Sequence, residues 1–397
     1  MAVRKAPRGR RTAGKPPVAA PAKAKAKTNA KSVDRLAATL ASIINVSDAE
    51  EIARRKLPRA FYDYYAGGSE DERTLGRNRA AMDRWVLLHR VLVDVSHADL
   101  STTFLGASVS MPVGLAPTAF HKLAHPEGEV ATARAAGMAG VLMAASTIAS
   151  SPLEEIAEAG TGPLWFQLYV YKERDLARDL AERAERAGYQ ALVLTVDTPI
   201  LGHRERDLRS GFKLPPGVTM ANFDAYSETY KKWNFPGGMA ARVHDLMDQS
   251  LTWDAVAWLR SISRLPIVLK GIVRADDARR ALDAGVDAIV VSNHGGRQLD
   301  GGEATILALP DVVEAVAGRM EVYVDGGFRR GTDILKALAL GARGVLIGRP
   351  YLWGLAAAGS AGVERILAIL RSELTLAMAL AGAPRLSEID RTLVRSA

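Results

Sequence analysis

The chain contains no cysteine, which excludes disulfides, thiolate metal sites and a cysteine nucleophile. It also has no apolar run of the length that a bilayer-spanning helix requires, so no membrane anchor is expected. Acidic residues are missing from residues 1–33, which hold ten Lys or Arg. The net charge is +8, so everything after residue 33 sums to −2 and the folded part is not basic. A Pro/Ala/Lys/Arg tail without apolar periodicity cannot bury enough surface to order itself, and residues 1–33 are expected to be disordered. Loose contact with nucleic acid or an acidic membrane surface is one reading of that tail; a solubilising extension is the favoured one. No apolar segment follows the basic start, so no secretory signal is expected and a cytoplasmic location is the default. Residues 1–100 also lack a haem-binding segment.

What is present is ordinary in amount, with 48% hydrophobic and 24% charged residues. Its order along the chain is more informative. From about residue 110, short runs rich in Val, Leu and Ile alternate with longer amphipathic stretches, the βα pattern of a parallel sheet. The pattern predicts strands at Met111–Ala119, Gly140–Ser146, Leu164–Val170, Ala191–Asp197, Pro266–Ile272, Ala288–Asn293, Glu321–Gly327 and Gly344–Arg349. Helices fit between them at Glu127–Ala139, Leu153–Ala159, Arg174–Ala187, Trp253–Ser263, Ala275–Ala284, Ile306–Ala317 and Thr332–Leu340, with Ala361–Leu380 last. Ala187-Gly188 and Ala284-Gly285 suit left-handed helix ends. Eight strands suggest an α/β fold of the (β/α)8 TIM-barrel type over residues 101–397, preceded by a largely helical extension over 34–100. The spacing breaks once, at 205–250, a candidate lid.

In such a barrel, chemistry collects at the C-terminal ends of the strands. The residues there are Pro117-Thr118-Ala119, Ser146, Gln167 and Tyr169, Thr195 and Asp197, Lys270, Ser292 and His294, Asp325-Gly326-Gly327, and Gly348-Arg349. A polar group at the end of nearly every strand is hard to explain as packing, because buried unpaired polar groups are costly. The nonamer Ser292–Asp300 places a His, which can take a proton near neutral pH, three residues before Arg297, which can hold a carboxylate through two parallel hydrogen bonds. Gly326-Gly327 and Gly348-Arg349 stand where barrels bind phosphate. Lys270 could form a Schiff base or stay protonated to stabilise negative charge on a ring, and Asp197 could support a protonated His294.

From about Ala49 to Ala381 these residues resemble the FMN-dependent 2-hydroxy acid oxidases and dehydrogenases, with a pattern similar to the plant-type glycolate oxidases. The resemblance is carried by Lys56-Leu57-Pro58, Tyr62-Asp63-Tyr64-Tyr65-Ala66, Ala116-Pro117-Thr118-Ala119, His125-Pro126-Glu127-Gly128-Glu129, Phe166-Gln167-Leu168-Tyr169, Leu194-Thr195-Val196-Asp197-Thr198-Pro199, Leu269-Lys270-Gly271, the nonamer and Asp325-Gly326-Gly327. It implies that His294 is the base on the substrate hydroxyl, supported by Asp197. Arg297, Arg204 and Tyr64 would hold the substrate carboxylate, with the Tyr169 hydroxyl near the reacting carbon. Ser146, Gln167, Thr195, Ser292 and Pro117–Ala119 would meet the flavin, and Lys270 its N1–C2 edge. Asp325, Gly326, Gly327, Arg329, Gly348 and Arg349 would hold ribityl and phosphate. A tetramer or larger homo-oligomer is implied as well.

Ile148 stands where glycolate oxidases carry a Trp, so a medium-chain or aromatic 2-hydroxy acid, (S)-configured, is expected in place of glycolate. Residues 205–250 lack the apolar insert of the membrane-bound mandelate dehydrogenases. Ala119 matches the oxidases, so dioxygen is the expected acceptor and hydrogen peroxide the expected product. A dehydrogenase using a quinone or another carrier is the alternative. A Schiff-base aldolase would explain Lys270 but leaves the His294–Arg297 pair unassigned, and a nucleic-acid-binding protein would rest on the tail alone.

Overall fold

Strands buried on both faces of a parallel sheet should read as near-continuous apolar runs, and eight segments of this chain do. In the computed structural model these are β4 (Val113–Leu115), β5 (Leu142–Ser146), β6 (Leu164–Leu168), β7 (Ala191–Thr195), β8 (Ile267–Ile272), β9 (Ala288–Val291), β10 (Glu321–Asp325) and β11 (Gly344–Ile347). They pair in parallel in the order β10-β11-β4-β5-β6-β7-β8-β9 and close into a barrel. The structure describes residues 1–3, 33–224, 226 and 245–397. The expected disordered tail, apart from residues 1–3 and 33, and the middle of the expected lid lie outside the described residues.

The helices between the strands follow from their periodicity. Arg174–Arg186 buries Leu176, Ala177, Leu180, Ala181 and Ala184 along one stripe and turns its charged residues outward. It gives way to Gly188 at φ +86°, and Ala275–Asp283 to Gly285 at φ +72°, the left-handed positions that release the chain into the next strand.

Several features depart from the sequence reading. The extension is helical over 33–42, α2 (Val46–Lys56), α3 (Arg59–Ala66) and α4 (Arg73–Ala80), but it also contains β1 (Trp85–Leu87), which pairs antiparallel with β12 (Val394–Ser396) at the far end of the chain. A hairpin of β2 (Thr102–Phe104) and β3 (Ala107–Val109) then precedes the barrel. It puts Phe104 among Trp165, Tyr323, Val193 and Val268, with its ring 4.8 Å from Tyr323 and 6.3 Å from Trp165. These residues fill the barrel interior near the strand starts, which leaves the opposite end for chemistry.

The helical stretch Arg349–Ala381 contains the expected last helix, Ala361–Leu380, as its second piece and adds a first piece from Arg349 that the sequence reading lacked. It is interrupted at Ala358 and Gly359, where the backbone turns non-helical. The two pieces cross so closely that a Cβ at Gly362 would lie 1.9 Å from the Gly354 carbonyl oxygen. By length and composition alone the whole stretch passes for a helix able to cross a membrane, but it is broken at Ala358-Gly359 and its two pieces pack against each other. Its most apolar window, of mean hydropathy 1.3, is 67% buried inside the fold, as in a core helix.

The predicted strands also overrun the observed ones by as much as four residues at their C-terminal ends. The cause is local. At Ser292–Gly296, Gly326-Gly327 and Gly348 the chain leaves the ladder to form the site.

Candidate active site

After β9 the backbone places His294, Gly295 and Gly296 successively at φ +57°, +64° and +74°. A glycine adopts this conformation freely, but a histidine does so at a cost of ~1 kcal/mol or more. The surroundings hold it there. Ser292 Oγ accepts from the His294 amide at 3.1 Å, and a Cβ at Gly296 would meet the Leu75 amide at 2.5 Å. Asn293 and Asn78 exchange amide hydrogen bonds of 2.8 Å in both directions, and Asp300 accepts from the Arg73 and Thr74 amides at the start of α4. The N-terminal extension is thus the clamp on the catalytic loop.

The bend brings His294 Nδ1 to 2.8 Å from Asp197 Oδ1, just beyond β7, and Thr198 Oγ1 donates to the same carboxylate oxygen at 3.0 Å. Burial pushes the His294 imidazole below its ordinary value, against the opposing pull of Asp197. Burial opposes ionisation of Asp197 too, but the His294 pairing outweighs it and holds the carboxyl below the usual range. The result is a neutral ring with its Nδ1 proton on a carboxylate and its Nε2 lone pair available.

Beside it lies a cationic cluster. Arg297 donates through Nη1 to the carbonyls of Tyr64 (2.7 Å) and Gly67 (2.8 Å), and its guanidinium sits 5.2 Å from the Tyr64 ring centre. Tyr64 is stacked on Phe212 at 4.4 Å. Arg204 reaches Gln298 Oε1 at 3.4 Å; burial and then the proximity of Arg297 push its guanidinium down to about 10. The Tyr169 hydroxyl is held well above its usual range by burial.

A polar ladder crosses the barrel mouth. Gln167 accepts from Ser146 Oγ at 3.2 Å and donates to Thr195 Oγ1 at 3.1 Å. Lys270 Nζ donates to Ser292 Oγ at 2.8 Å and pairs with Asp325 Oδ2 at 3.0 Å. Burial disfavours the charged amine, but Asp325 and Asp197 outweigh it and raise the Lys270 value. A lysine held protonated is the wrong species for Schiff-base attack. Past β10, Gly326 and Gly327 take φ of +98° and +91°. A Cβ on Gly327 would lie 2.4 Å from the Asn78 carbonyl oxygen.

Two further guanidinium groups face this region. Arg329 donates to the Phe328 carbonyl at 2.9 Å, and Arg349, at the start of the last helix, donates to the carbonyls of Tyr65, Gly67 and Gly295 at 2.8–3.0 Å. Burial lowers both, and for Arg349 the neighbouring Arg297 and Arg329 lower it further.

Of the sequence-predicted site residues, Asp197 and Ser292 stand one layer behind the surface, where they orient His294 and Lys270. The rest line one cleft: Tyr64, Pro117, Thr118, Ala119, Ser146, Gln167, Tyr169, Thr195, Arg204, Lys270, His294, Arg297, Asp325, Gly326, Gly327, Arg329, Gly348 and Arg349. The cleft spans about 1380 Å³ counted out to its solvent-open rim. The donor set fits FMN. Arg329, Arg349 and the opened Gly326-Gly327 backbone suit a phosphate, the ladder suits a flat heteroaromatic ring, and the buried Asp325 Oδ1 has no partner among the described residues. Arg204 and Arg297 direct their N–H groups to uncharged oxygens, so they suit a second, carboxylate anion. Ile148, Leu201, Met220, Leu246 and Met247 add apolar walls to the same cleft. Thr198, Asn78 and Asn293 were missed as site residues. Thr198 adjoins Asp197 in a quoted motif, whereas the Asn78–Asn293 pair spans 215 positions and left no local signal.

The family model described as FMN-dependent dehydrogenase matches residues 53–396. The chain is 51% identical to glycolate oxidase of Spinacia oleracea over 350 residues, 88% of this chain and 95% of that protein. It is 51% identical to glycolate oxidase 3 of Arabidopsis thaliana over 354 residues, 89% and 96% of the two chains. A mandelate oxidase solved with (S)-4-hydroxymandelic acid superposes with a TM-score of 0.84 at 44% identity, covering 89% of this chain and 99% of that one. An active chimera of (S)-mandelate dehydrogenase, as its G81A mutant, gives 0.83 at 39% identity, covering 89% and 100%.

Proposed function

This chain belongs to the FMN-dependent dehydrogenase family and oxidises 2-hydroxy acids with FMN, and from that premise we propose that its preferred substrates are medium-chain or aromatic (S)-2-hydroxy acids. The observation that carries the preference is that Ile148, with Leu201, Met220, Leu246 and Met247, gives apolar walls to the cleft that also holds Arg204 and Arg297. It offers room for a side chain longer than that of glycolate. The mandelate oxidases among the structural relatives support it.

In this reading Arg297 and Arg204, with Tyr64, hold the substrate carboxylate and fix the 2-hydroxyl against His294. Such fixing converts an encounter into a unimolecular step. His294 Nε2 takes the hydroxyl proton while Nδ1–H stays on Asp197, whose charge stabilises the imidazolium as it forms. The Tyr169 phenol remains protonated and offers a hydrogen bond near the reacting carbon. Bound FMN supplies a two-electron acceptor for the α-carbon. Lys270, kept cationic by Asp325, provides the positive charge that the ring needs on accepting electrons. Ser146, Gln167, Thr195, Ser292 and Pro117–Ala119 would meet the ring, and Asp325, Gly326, Gly327, Arg329, Gly348 and Arg349 the ribityl chain and phosphate.

We further propose dioxygen as the final acceptor, so that R–CH(OH)–COO⁻ and O₂ yield R–CO–COO⁻ and H₂O₂. The relatives named oxidases and Ala119 at the ring-facing turn support this. Exposed Val91, Leu92, Leu376 and Leu380 support a homo-oligomer. Catalytic efficiency on glycolate, lactate, mandelate and 2-hydroxyoctanoate tests the substrate reading, which a strong preference for glycolate overturns. Stopped-flow reoxidation tests the acceptor: reduced flavin that persists in air-saturated buffer indicates a quinone or another carrier.

A further inference from the structure

Behind the cleft, on the side of Thr118, lies a buried hydrogen-bonded chain that the chemistry above does not use. Phe120 adopts φ +57° and turns the following residue, His121, inward to 1% exposure. The turn is anchored from two sides. Glu129, fully buried, accepts from the His121 amide at 3.0 Å and from the Ser150 amide at 2.8 Å, and Tyr65 donates to the Phe120 carbonyl at 2.6 Å. The ring so placed has both nitrogens occupied. Nδ1 lies 3.0 Å from Thr132 Oγ1 and Nε2 lies 2.7 Å from Thr118 Oγ1. The Tyr351 hydroxyl, from the last helix, touches the same Thr118 oxygen and lies 2.9 Å from the Ala116 carbonyl.

Counting protons fixes the direction of this chain. Tyr351 donates to the Ala116 carbonyl at 2.9 Å, so the short Tyr351–Thr118 contact takes Thr118 as its donor. His121 Nε2–H then donates to Thr118, and Nδ1 of the neutral ring accepts from Thr132, whose hydroxyl lies nearer to it than to the Gly128 carbonyl at 3.4 Å. If His121 is protonated the chain from Nε2 through Thr118 and Tyr351 to Ala116 stands unchanged, and only Thr132 turns, to donate to the Gly128 carbonyl. In both states the Thr118 proton is consumed inside the protein. The hydroxyl can offer the cleft only an acceptor lone pair.

We propose that His121 and Tyr351 are positioning residues that hold Thr118 as an acceptor-only group at the cofactor wall and thereby set the balance between oxidised and reduced FMN. The proposal rests on the reading that the cleft holds FMN. Flavin nitrogens change between acceptor and donor on reduction, so a wall hydroxyl of fixed polarity discriminates between the two states. The arrangement is redundant: with either partner gone, the Thr118 proton still has the other as acceptor.

The test is the two-electron midpoint potential of the purified yellow holoenzyme, titrated with a chemical reductant and no substrate, together with the FMN dissociation constant. His121→Gln keeps a donor for Thr118 and an acceptor for Thr132 and is expected to match the parent. His121→Phe and Tyr351→Phe alone should each change the reduced-to-oxidised partition less than twofold. The double variant should change it at least tenfold, ~30 mV for a two-electron couple. The same pair of changes in a Thr118→Val background should produce no further shift. A double variant that keeps the parental potential overturns the proposal, as does a shift that persists undiminished without the Thr118 hydroxyl. Colourless protein after FMN addition would instead refute the reading of the cleft itself.

Discussion

Asp197→Asn is the most informative single change, because it preserves shape and removes one charge from a contact of 2.8 Å. A carboxylate facing an imidazolium shifts its pKa by roughly 1–3 units. At ~1.4 kcal/mol per unit, losing it removes about 1.4–4 kcal/mol of stabilisation from a ring that must accept a proton. The rate of flavin reduction at saturating substrate should therefore fall roughly 10- to 1,000-fold. An Asn amide that donates to Nδ1 would add the wrong tautomer to the lost charge. The assay is anaerobic stopped-flow bleaching of the bound flavin across pH. The reaction needs neutral His294, so the rate falls as pH drops through the His294 pKa. Burial already places that value below the ordinary one, with Asp197 opposing the shift, so the Asn variant should carry the acidic limb to still lower pH while its plateau drops. A plateau within threefold of the parent, or a limb that moves to higher pH, refutes the assigned partnership.

Other changes probe the remaining parts of the cleft. Arg297→Lys loses the planar fork and its contacts to the Tyr64 and Gly67 carbonyls, and KM for the 2-hydroxy acid should rise roughly 10- to 100-fold, as charged hydrogen bonds are worth ~1.5–3 kcal/mol. Ile148→Trp should shift relative kcat/KM from mandelate toward glycolate by about 1–3 kcal/mol, seen in a substrate competition assay. Lys270→Met leaves Asp325 buried and unpaired, a loss of ~3–5 kcal/mol, and should lower both Tm and FMN occupancy. Gly327→Ala forces a side chain into φ +91° against the Asn78 carbonyl and should cost at least ~1–3 kcal/mol, read as a lower denaturant midpoint.

The barrel was legible because each of its strands is buried on both faces and so had to be written as an apolar run. All eight appear in place, with starts within two residues of those read from sequence. The cleft was legible for a related reason: Gln167, Thr195 and Lys270 interrupt apolar runs where packing alone would not tolerate them. Features that depend on distant partners left no such mark. The β2–β3 hairpin consists of strands of three residues with no period to detect, and its Phe104 acquires meaning only against Tyr323. The helical piece that begins at Arg349 was hidden by Pro350 and Gly354, which read as punctuation yet serve as a first turn and a close crossing. The pairing of His121 with Tyr351 spans 230 positions, and nothing near either residue announces the other.

The central claim is that this cleft removes two electrons and two protons from a 2-hydroxy acid bound by its carboxylate. The direct measurement is anaerobic mixing of the yellow holoenzyme with one equivalent of (S)-mandelate, followed by the flavin absorbance and the amount of 2-oxo acid formed. The account predicts bleaching with one 2-oxo acid per flavin, slow or absent with (R)-mandelate and lost in His294→Ala. Flavin that stays oxidised with every 2-hydroxy acid offered, while a chemical reductant bleaches it normally, contradicts it.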